Sequence, residues 1–274
     1  MNNYYGSNFI KGDNVKIGRN VIIEDNVTLE DNVILGDFVK IRSNVVIRKS
    51  TFIGDYCTIG EVVKSFYDDE SYVNPITVIG EKSLIRSNTI VYCDNNLDDN
   101  LETGHRVTIR EKSSIGKNVR IGTLSDIQGY CEIGNYVNMH SNVHIGQKSK
   151  IADYVWIFPY TVLTNDPTPP SFDLLGVNVE KFAIIATGSI ILPGVNIGEN
   201  SLVGAKSLVK KDVERETVVA GNPAKTICNI RDIKNKITKE SVYPWQYHFD
   251  RGMPWEGIGY EKWEKLTMAY RELI

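Results

Sequence analysis

Three side chains in the middle of this 274-residue chain have the chemistry for acid–base work. Asp94 closes the segment TIVYCD, Glu102 lies eight residues on, and His105 follows in LETGHR. A carboxylate can hold an ammonium group and then accept its proton, and an imidazole can do the second task near neutral pH. Each of the three could instead be an ordinary solvated residue. A basic group lies toward the C-terminal end: Lys206, Lys210, Lys211 and Lys225, with Pro223 inside GNPAK. Lysine ammonium groups are point charges suited to phosphates. The nearby Ala186, Gly204 and Ala205 are small enough to let a ligand approach backbone amides. A solvated basic edge is the bland alternative.

What must position these groups is a repeat. From Val15 the chain reads VKIGRN, VIIEDN, VTLEDN, VILGDF, VKIRSN, VVIRKS, TFIGDY, CTIGEV, eight hexads without a slip. Fifteen more run in register from TVIGEK at Thr77 to TVLTND at Asp166, and five from AIIATG at Ala183 to SLVKKD. A period of six is neither helical nor a plain strand alternation. It suits a short strand and a turn, with the aliphatic third residue inward and an Asn or Gly at the turn tolerating left-handed backbone. Three such units close a triangular coil of eighteen residues, and coils stack at the inter-strand spacing of roughly 4.8 Å. The fold expected is all-β, a parallel β-helix of about nine coils and roughly 45 Å. One hexad, LETGHR, puts Thr103 in an inward slot. Its hydroxyl is expected to bond backbone in a slightly distorted coil.

The rest of the chain narrows the class. A formal charge of −3 and a pI near 5.9 give no footprint for nucleic acid. No apolar run approaches the ~20 residues of a membrane span, and the N-terminus lacks a secretory layout. Cys57, Cys93, Cys131 and Cys228 are widely spaced and read as reduced thiols in a cytoplasmic protein. The sequon at Asn26 falls on the repeat lattice and is discounted. Residues 1–227 form the β-helix domain, with excursions at 63–76 and 167–182. The second begins with prolines, which cannot continue a strand ladder. Residues 228–274 form a mainly helical tail. Trp263, Leu266, Tyr270 and Leu273 share one helical face and are expected to cap the open prism end.

These hexads resemble the left-handed β-helix, hexapeptide-repeat acyltransferases, and left-handedness is implied by that resemblance. The segment from AIIATG to GNPAK is similar to the coenzyme A-binding end of the family. The resemblance implies acetyl-CoA as co-substrate, held by Ala186, Gly204, Ala205, Lys206, Lys210, Lys211, Pro223 and Lys225 in a groove between two prisms of a homotrimer. The motif TGH-x-x-x-IRE (Thr103–Glu111) and LTNDP (Leu163–Pro167) resemble N-acetyltransferases of dTDP-3-amino-3,6-dideoxyhexoses, which feed surface-layer glycans and lipopolysaccharide. On that likeness Asp94, Glu102 and His105 are catalytic candidates, and Arg110, Glu111, His140, Asn142, Asn165 and Asp166 are substrate-binding ones.

Two departures bear on mechanism. Related sugar N-acetyltransferases carry a histidine base in a stretch like IGHDCVIGD, and here IQGYCEIGN puts Gly129 in that place. The galactoside and xenobiotic branches place His-Pro where this chain has Asp166-Pro167. Positioning alone, with the departing coenzyme A thiolate taking the proton, is therefore favoured over a dedicated protein base. No metal is expected. The four histidines, His105, His140, His144 and His248, do not share a column at the eighteen-residue step. The alternatives are a sugar O-acetyltransferase, a zinc-dependent carbonic-anhydrase-like enzyme, and a non-catalytic β-helix.

Overall fold

A computed structural model describes residues 2–271. Its strands are two to six residues long and stack into three sheets of eleven, ten and twelve strands among the described residues. They are parallel throughout except for the last strand of the third, Ala224–Asn229, which pairs antiparallel. These are the faces of a triangular prism. Face A holds Ile90–Tyr92, Thr108–Ile109, Asp126–Ile127, His144–Ile145 and Val162–Leu163. Face B holds Asn96–Leu97, Ser114–Ile115, Glu132–Ile133 and Lys150–Ile151. Face C holds Leu84–Ile85, Glu102–Thr103, Arg120–Ile121, Asn138–Met139 and Trp156–Ile157. Along this stretch each residue pairs with the one eighteen positions on, as Asp126 does with His144.

The hexad explains the coil. Its third residue is the inward strand residue, and Ile109, Ile115, Ile127 and Ile145 are all fully buried. Burying such a side chain contributes roughly 1.5–3 kcal/mol, and only stacked coils can do it. The sixth residue sits at the corner in left-handed backbone, as at Asn26, Asn44, Asn118 and Asn142 with φ of 55–61°. Several buried hydroxyls at the first position bond nearby carbonyls: Ser125 Oγ donates to that of His140 and Ser149 Oγ to that of Gly146.

Three expectations need correction. The prism is longer than nine coils, roughly twelve, because the lattice takes in hexads whose residues depart from the strict pattern. Tyr4–Tyr5 and Ile10–Lys11 already pair with Ile22–Ile23 and Thr28–Leu29. The excursion expected over 167–182 ends sooner, since Asn178–Val179 pairs with Lys150–Ile151. VNVEKF is a regular hexad with Phe182 in the left-handed slot (φ 61°), as Phe38 and Tyr56 are in theirs. The tail is mostly turns, with short helical turns at Ile230–Asp232 and Trp245–Tyr247 and a helix at Tyr260–Arg271. Pro244, Pro254 and the positive-φ glycines at 252, 257 and 259 interrupt it.

The terminal helix does not cap the prism end. It packs on the flank, with Trp263 against Tyr154 and Trp255, ring centroids 6.1 and 5.4 Å apart. Tyr154 and Phe182, from successive B–C corners, are the floor of that aromatic cluster, and Trp255 is fully buried in it. Leu266 is exposed, and Leu273 lies outside the described residues. Among the described residues no helix is long and apolar enough to cross a membrane.

Candidate active site

Face A carries the pair with the most chemical capacity. His144 and Asp126 point outward from neighbouring rungs, and His144 Nδ1 lies 3.1 Å from Asp126 Oδ2. The same oxygen accepts from Gln128 Nε2 at 2.6 Å. Burial pushes the Asp126 carboxyl up, but the bonds from His144 and Gln128 outweigh it and hold it below its usual value. An ionised carboxylate can only accept, so the shared proton sits on His144 Nδ1, and a neutral imidazole there carries its lone pair on Nε2. The side chains are 40 and 37 % exposed, so the pair is open to a ligand. Such an arrangement has the chemistry to serve as a base with an orienting carboxylate.

Beside it, toward the A–B corner, Arg110 and Glu111 form a bidentate ion pair at 2.7 and 2.9 Å. The Arg110 guanidinium lies 4.8 Å from the centroid of the Tyr92 ring. Burial raises the Glu111 carboxyl and the Arg110 hydrogen bond lowers it, with a net shift downward. Arg110 also contributes to the field that lowers Asp126. The structure thus brings two expected residues, Arg110 and Glu111, to a pair that sequence reasoning missed. In the sequence His144 stands out only as one of four histidines weighed for zinc. The signal that marks it is the eighteen-residue step from Asp126.

Asp94, Glu102 and His105 do not converge within one subunit. Asp94 is at the tip of the A–B corner (φ 61°) and lines a groove of about 700 Å³. Glu102 projects from face C, which lies opposite that corner in a three-sided prism. Its oxygens meet Arg86 at 2.8 Å and Arg120 at 3.6 Å. His105 is an exposed residue of the C–A corner whose backbone N–H donates to Thr123 Oγ1. Thr103 is fully buried, and its hydroxyl accepts the Arg86 backbone N–H at 3.0 Å. Its freed carbonyl accepts Arg86 Nη1 at 2.7 Å. A Cβ on Gly104 would collide with the Thr123 backbone nitrogen, so the corner after Thr103 has no room for a side chain.

The other candidates are spread along two corners. His140 stacks on Phe158 at the C–A corner, centroids 4.7 Å apart, and partial burial pushes its pKa down. Asn142 holds the left-handed position of the same corner (φ 59°). Asn165 and Asp166 open the A–B excursion. Asp166 accepts from Ser171 Oγ at 2.7 Å and from the Ser171 and Thr168 backbones, so it staples that loop. The Ser171 bonds hold its carboxyl below the usual range.

Of the basic and small residues, Ala186, Gly204, Ala205 and Lys206 occupy two successive C–A corners, joined by the Ile185–Val203 rung. A Cβ on Gly204 would lie 2.8 Å from the Ala220 Cβ. Lys210, Lys211, Pro223 and Lys225 line one groove of about 500 Å³ at the end of the prism. Among the described residues no group of three or more His, Cys, Asp or Glu side chains is placed to hold a metal ion.

The bacterial transferase hexapeptide family (six repeats) matches residues 14–49. The chain is 32 % identical over 168 residues to the dTDP-4-amino-4,6-dideoxy-D-glucose acyltransferase of Escherichia coli, covering 51 % of this chain and 86 % of that protein. It is 32 % identical over 106 residues to an Escherichia coli chloramphenicol acetyltransferase, 37 % of this chain and 49 % of that one. It thus spans about half the length of the chloramphenicol acetyltransferases it matches. Among solved structures, the Arabidopsis UDP-N-acetylglucosamine acyltransferase aligns over 81 % of this chain and 72 % of its own, at 21 % identity and a TM-score of 0.42. With most of the E. coli dTDP-sugar acyltransferase matched and the hexads in register along the prism, the chain belongs to the hexapeptide-repeat, left-handed β-helix acyltransferases.

Proposed function

We propose that the protein moves an acetyl group from acetyl-CoA to the amino group of a nucleotide-linked amino-6-deoxyhexose. The observation that carries this reading is the His144–Asp126 pair, held open on face A. The amine nitrogen bonds to the thioester carbonyl carbon, and the tetrahedral intermediate then loses the carbon–sulfur bond. The nitrogen's proton passes to His144 Nε2, which Asp126 stabilises as imidazolium, and from there to the departing thiolate. This replaces the base-free route favoured by the sequence. Three rungs, or ~14 Å, separate His144 from Leu208 beside Lys206. An extended pantetheine arm spans that distance, which supports Ala186, Gly204, Ala205 and Lys206 as its track and Lys210, Lys211 and Lys225 as partners for the coenzyme's phosphates.

The working unit in this reading is a homotrimer. Exposed Ile22, Phe38, Tyr56, Leu124, Tyr160 and Ile190 run along face A and the C–A corner, and such a stripe favours contact with identical neighbours there. That seam would close over His144. A 3-amino-3,6-dideoxy acceptor follows from the likeness of TGH-x-x-x-IRE and LTNDP, with surface-layer glycan or lipopolysaccharide as its destination. A 4-amino acceptor is favoured instead by the substrate in the name of the E. coli relative. The test is acetyl-CoA-dependent thiol release against dTDP- and UDP-linked 3-amino and 4-amino sugars, with hydroxyl acceptors alongside. Turnover on hydroxyl acceptors alone would make the protein an O-acetyltransferase and end this reading.

A further inference from the structure

The A–B corner carries a groove that the acid–base pair and the coenzyme track leave unused. Both excursions leave the prism from this corner. Between them, Asp94, Lys112, Tyr130 and Lys148 stand one above another, three rungs or ~14 Å from first to last. Ile76, at the end of the first excursion, lines the groove of about 700 Å³ with these four residues and Lys150. The second excursion closes the other end, where the Leu174 carbonyl accepts from Lys148 Nζ at 3.3 Å. The Tyr130 ring is 44 % exposed, with Lys112 Nζ 5.1 Å from its centroid and 3.3 Å from its hydroxyl. Lys150 is already paired with Glu132 at 2.8 Å. Lys112 feels the field of Asp94 and Glu111 but makes no direct ion pair with either, and Lys148 bonds a carbonyl. Among the described residues of the groove these two lysines therefore have no carboxylate in contact, and the Tyr130 ring lies between them.

We infer that this groove binds the nucleoside diphosphate of the acceptor, the diphosphate on Lys112 and Lys148 and the base against Tyr130. The inference rests on the proposed nucleotide-linked acceptor and places its carrier group. Lys148 follows His144 by four residues of the same coil, at most ~14 Å of chain. From a 3- or 4-amino group to the phosphorus atoms of the diphosphate is a path of about five to eight bonds, at most ~12 Å at ~1.5 Å each. A sugar whose amine reaches His144 can thus hand its diphosphate round the corner to the two lysines. Lysine suits phosphate as a point charge, and an aromatic face takes any base by stacking. The groove accordingly selects for the diphosphate and a planar base, with little discrimination among bases.

Calorimetric titration of the full-length protein with thymidine diphosphate, uridine diphosphate and inorganic pyrophosphate tests this. Wild type should bind both nucleotides. K112Q and K148Q should each weaken them about tenfold or more, the effect of one lost hydrogen bond to a charged group. Tyr130→Ala should weaken the nucleotides by a similar factor and leave pyrophosphate unchanged. The KM for acetyl-CoA should not move in any of the three. No binding of either nucleotide by wild type would overturn the nucleotide-linked acceptor itself. Binding that all three variants retain would leave that acceptor standing and overturn this site, and so would a rise in acetyl-CoA KM that matches the nucleotide loss.

Discussion

Replacing Asp126 by asparagine tests the acid–base assignment most directly, and its effect can be worked from the geometry. One oxygen, Asp126 Oδ2, accepts from both His144 Nδ1 and Gln128 Nε2. The substituted amide keeps both bonds only by placing its oxygen there, so the imidazole tautomer survives and only the negative charge is lost. What disappears is the stabilisation of the imidazolium. A hydrogen bond to a charged group contributes roughly 1.5–3 kcal/mol, and the exposure of both side chains puts this one at the lower end. At about 1.4 kcal/mol per factor of ten, Asp126→Asn should lower kcat ten- to thirtyfold with little change in acetyl-CoA KM. His144→Ala removes the acceptor itself and should lower kcat by ~10²–10⁴. Because the Asp126 carboxyl lies below its usual value, its charge is retained as pH falls until that lowered value is reached. Wild-type activity should therefore show no acid limb from Asp126 at or above the ordinary carboxylate pKa of about 3.9. The assay is steady-state thiol release across pH, with far-UV circular dichroism to confirm the fold. If Asp126→Asn matches wild type and His144→Ala keeps more than a third of kcat, the thiolate route stands and the base assignment fails.

Three further outcomes follow from the same structure. Thr103→Val leaves the Arg86 backbone N–H without its acceptor inside the prism. It should cost about 1–3 kcal/mol in urea unfolding, and Thr103→Ser should recover most of it. The double variant Lys210→Ala/Lys211→Ala should raise the KM for acetyl-CoA several-fold at low salt, an effect that fades at high salt, without altering kcat. An unchanged KM would move the coenzyme off the end groove. Burial pushes the Cys131 thiol up to about 12 and that of Cys57 up to about 11, and raises Cys93 as well. At pH 8 a thiol reagent should thus titrate Cys228 alone in the native protein and all four cysteines in denaturant.

How legible this molecule is depends on which spacing is read. The six-residue step is written in aliphatic and asparagine side chains, because every coil needs three oily strands and three left-handed corners, and it discloses the prism. It is lost where an excursion shifts the frame, as at VNVEKF, whose Phe182 lies beneath the tail. There the ring is tolerated because Trp245 and Trp255 cover it. Thr103 could be read as a backbone bond in the core because a buried hydroxyl must find a partner, and Arg86 supplies it. The turns of the tail could not be read from the helical spacing of Trp263 and Leu266. Their position was decided by the aromatic floor of Tyr154 and Phe182, more than a hundred residues away from Trp263 in the first case.

The same arithmetic explains why the site was placed differently from the sequence. Asp94, Glu102 and His105 look like a cluster because they fall within twelve residues, yet six residues carry the chain to the next face of the prism. Nearness in the sequence therefore separates side chains across the molecule, and the ion pairs of Glu102 with Arg86 and Arg120 are what an isolated carboxylate on face C finds there. Between the excursions, residues eighteen apart share a column. Asp126 and His144 do, as do Lys112, Tyr130 and Lys148, and Arg110 with Gln128. A solenoid assembles chemistry along its axis, one residue per coil. For this chain a search at the eighteen-residue step finds an acid over a base on face A and cations about an aromatic ring at the adjoining corner.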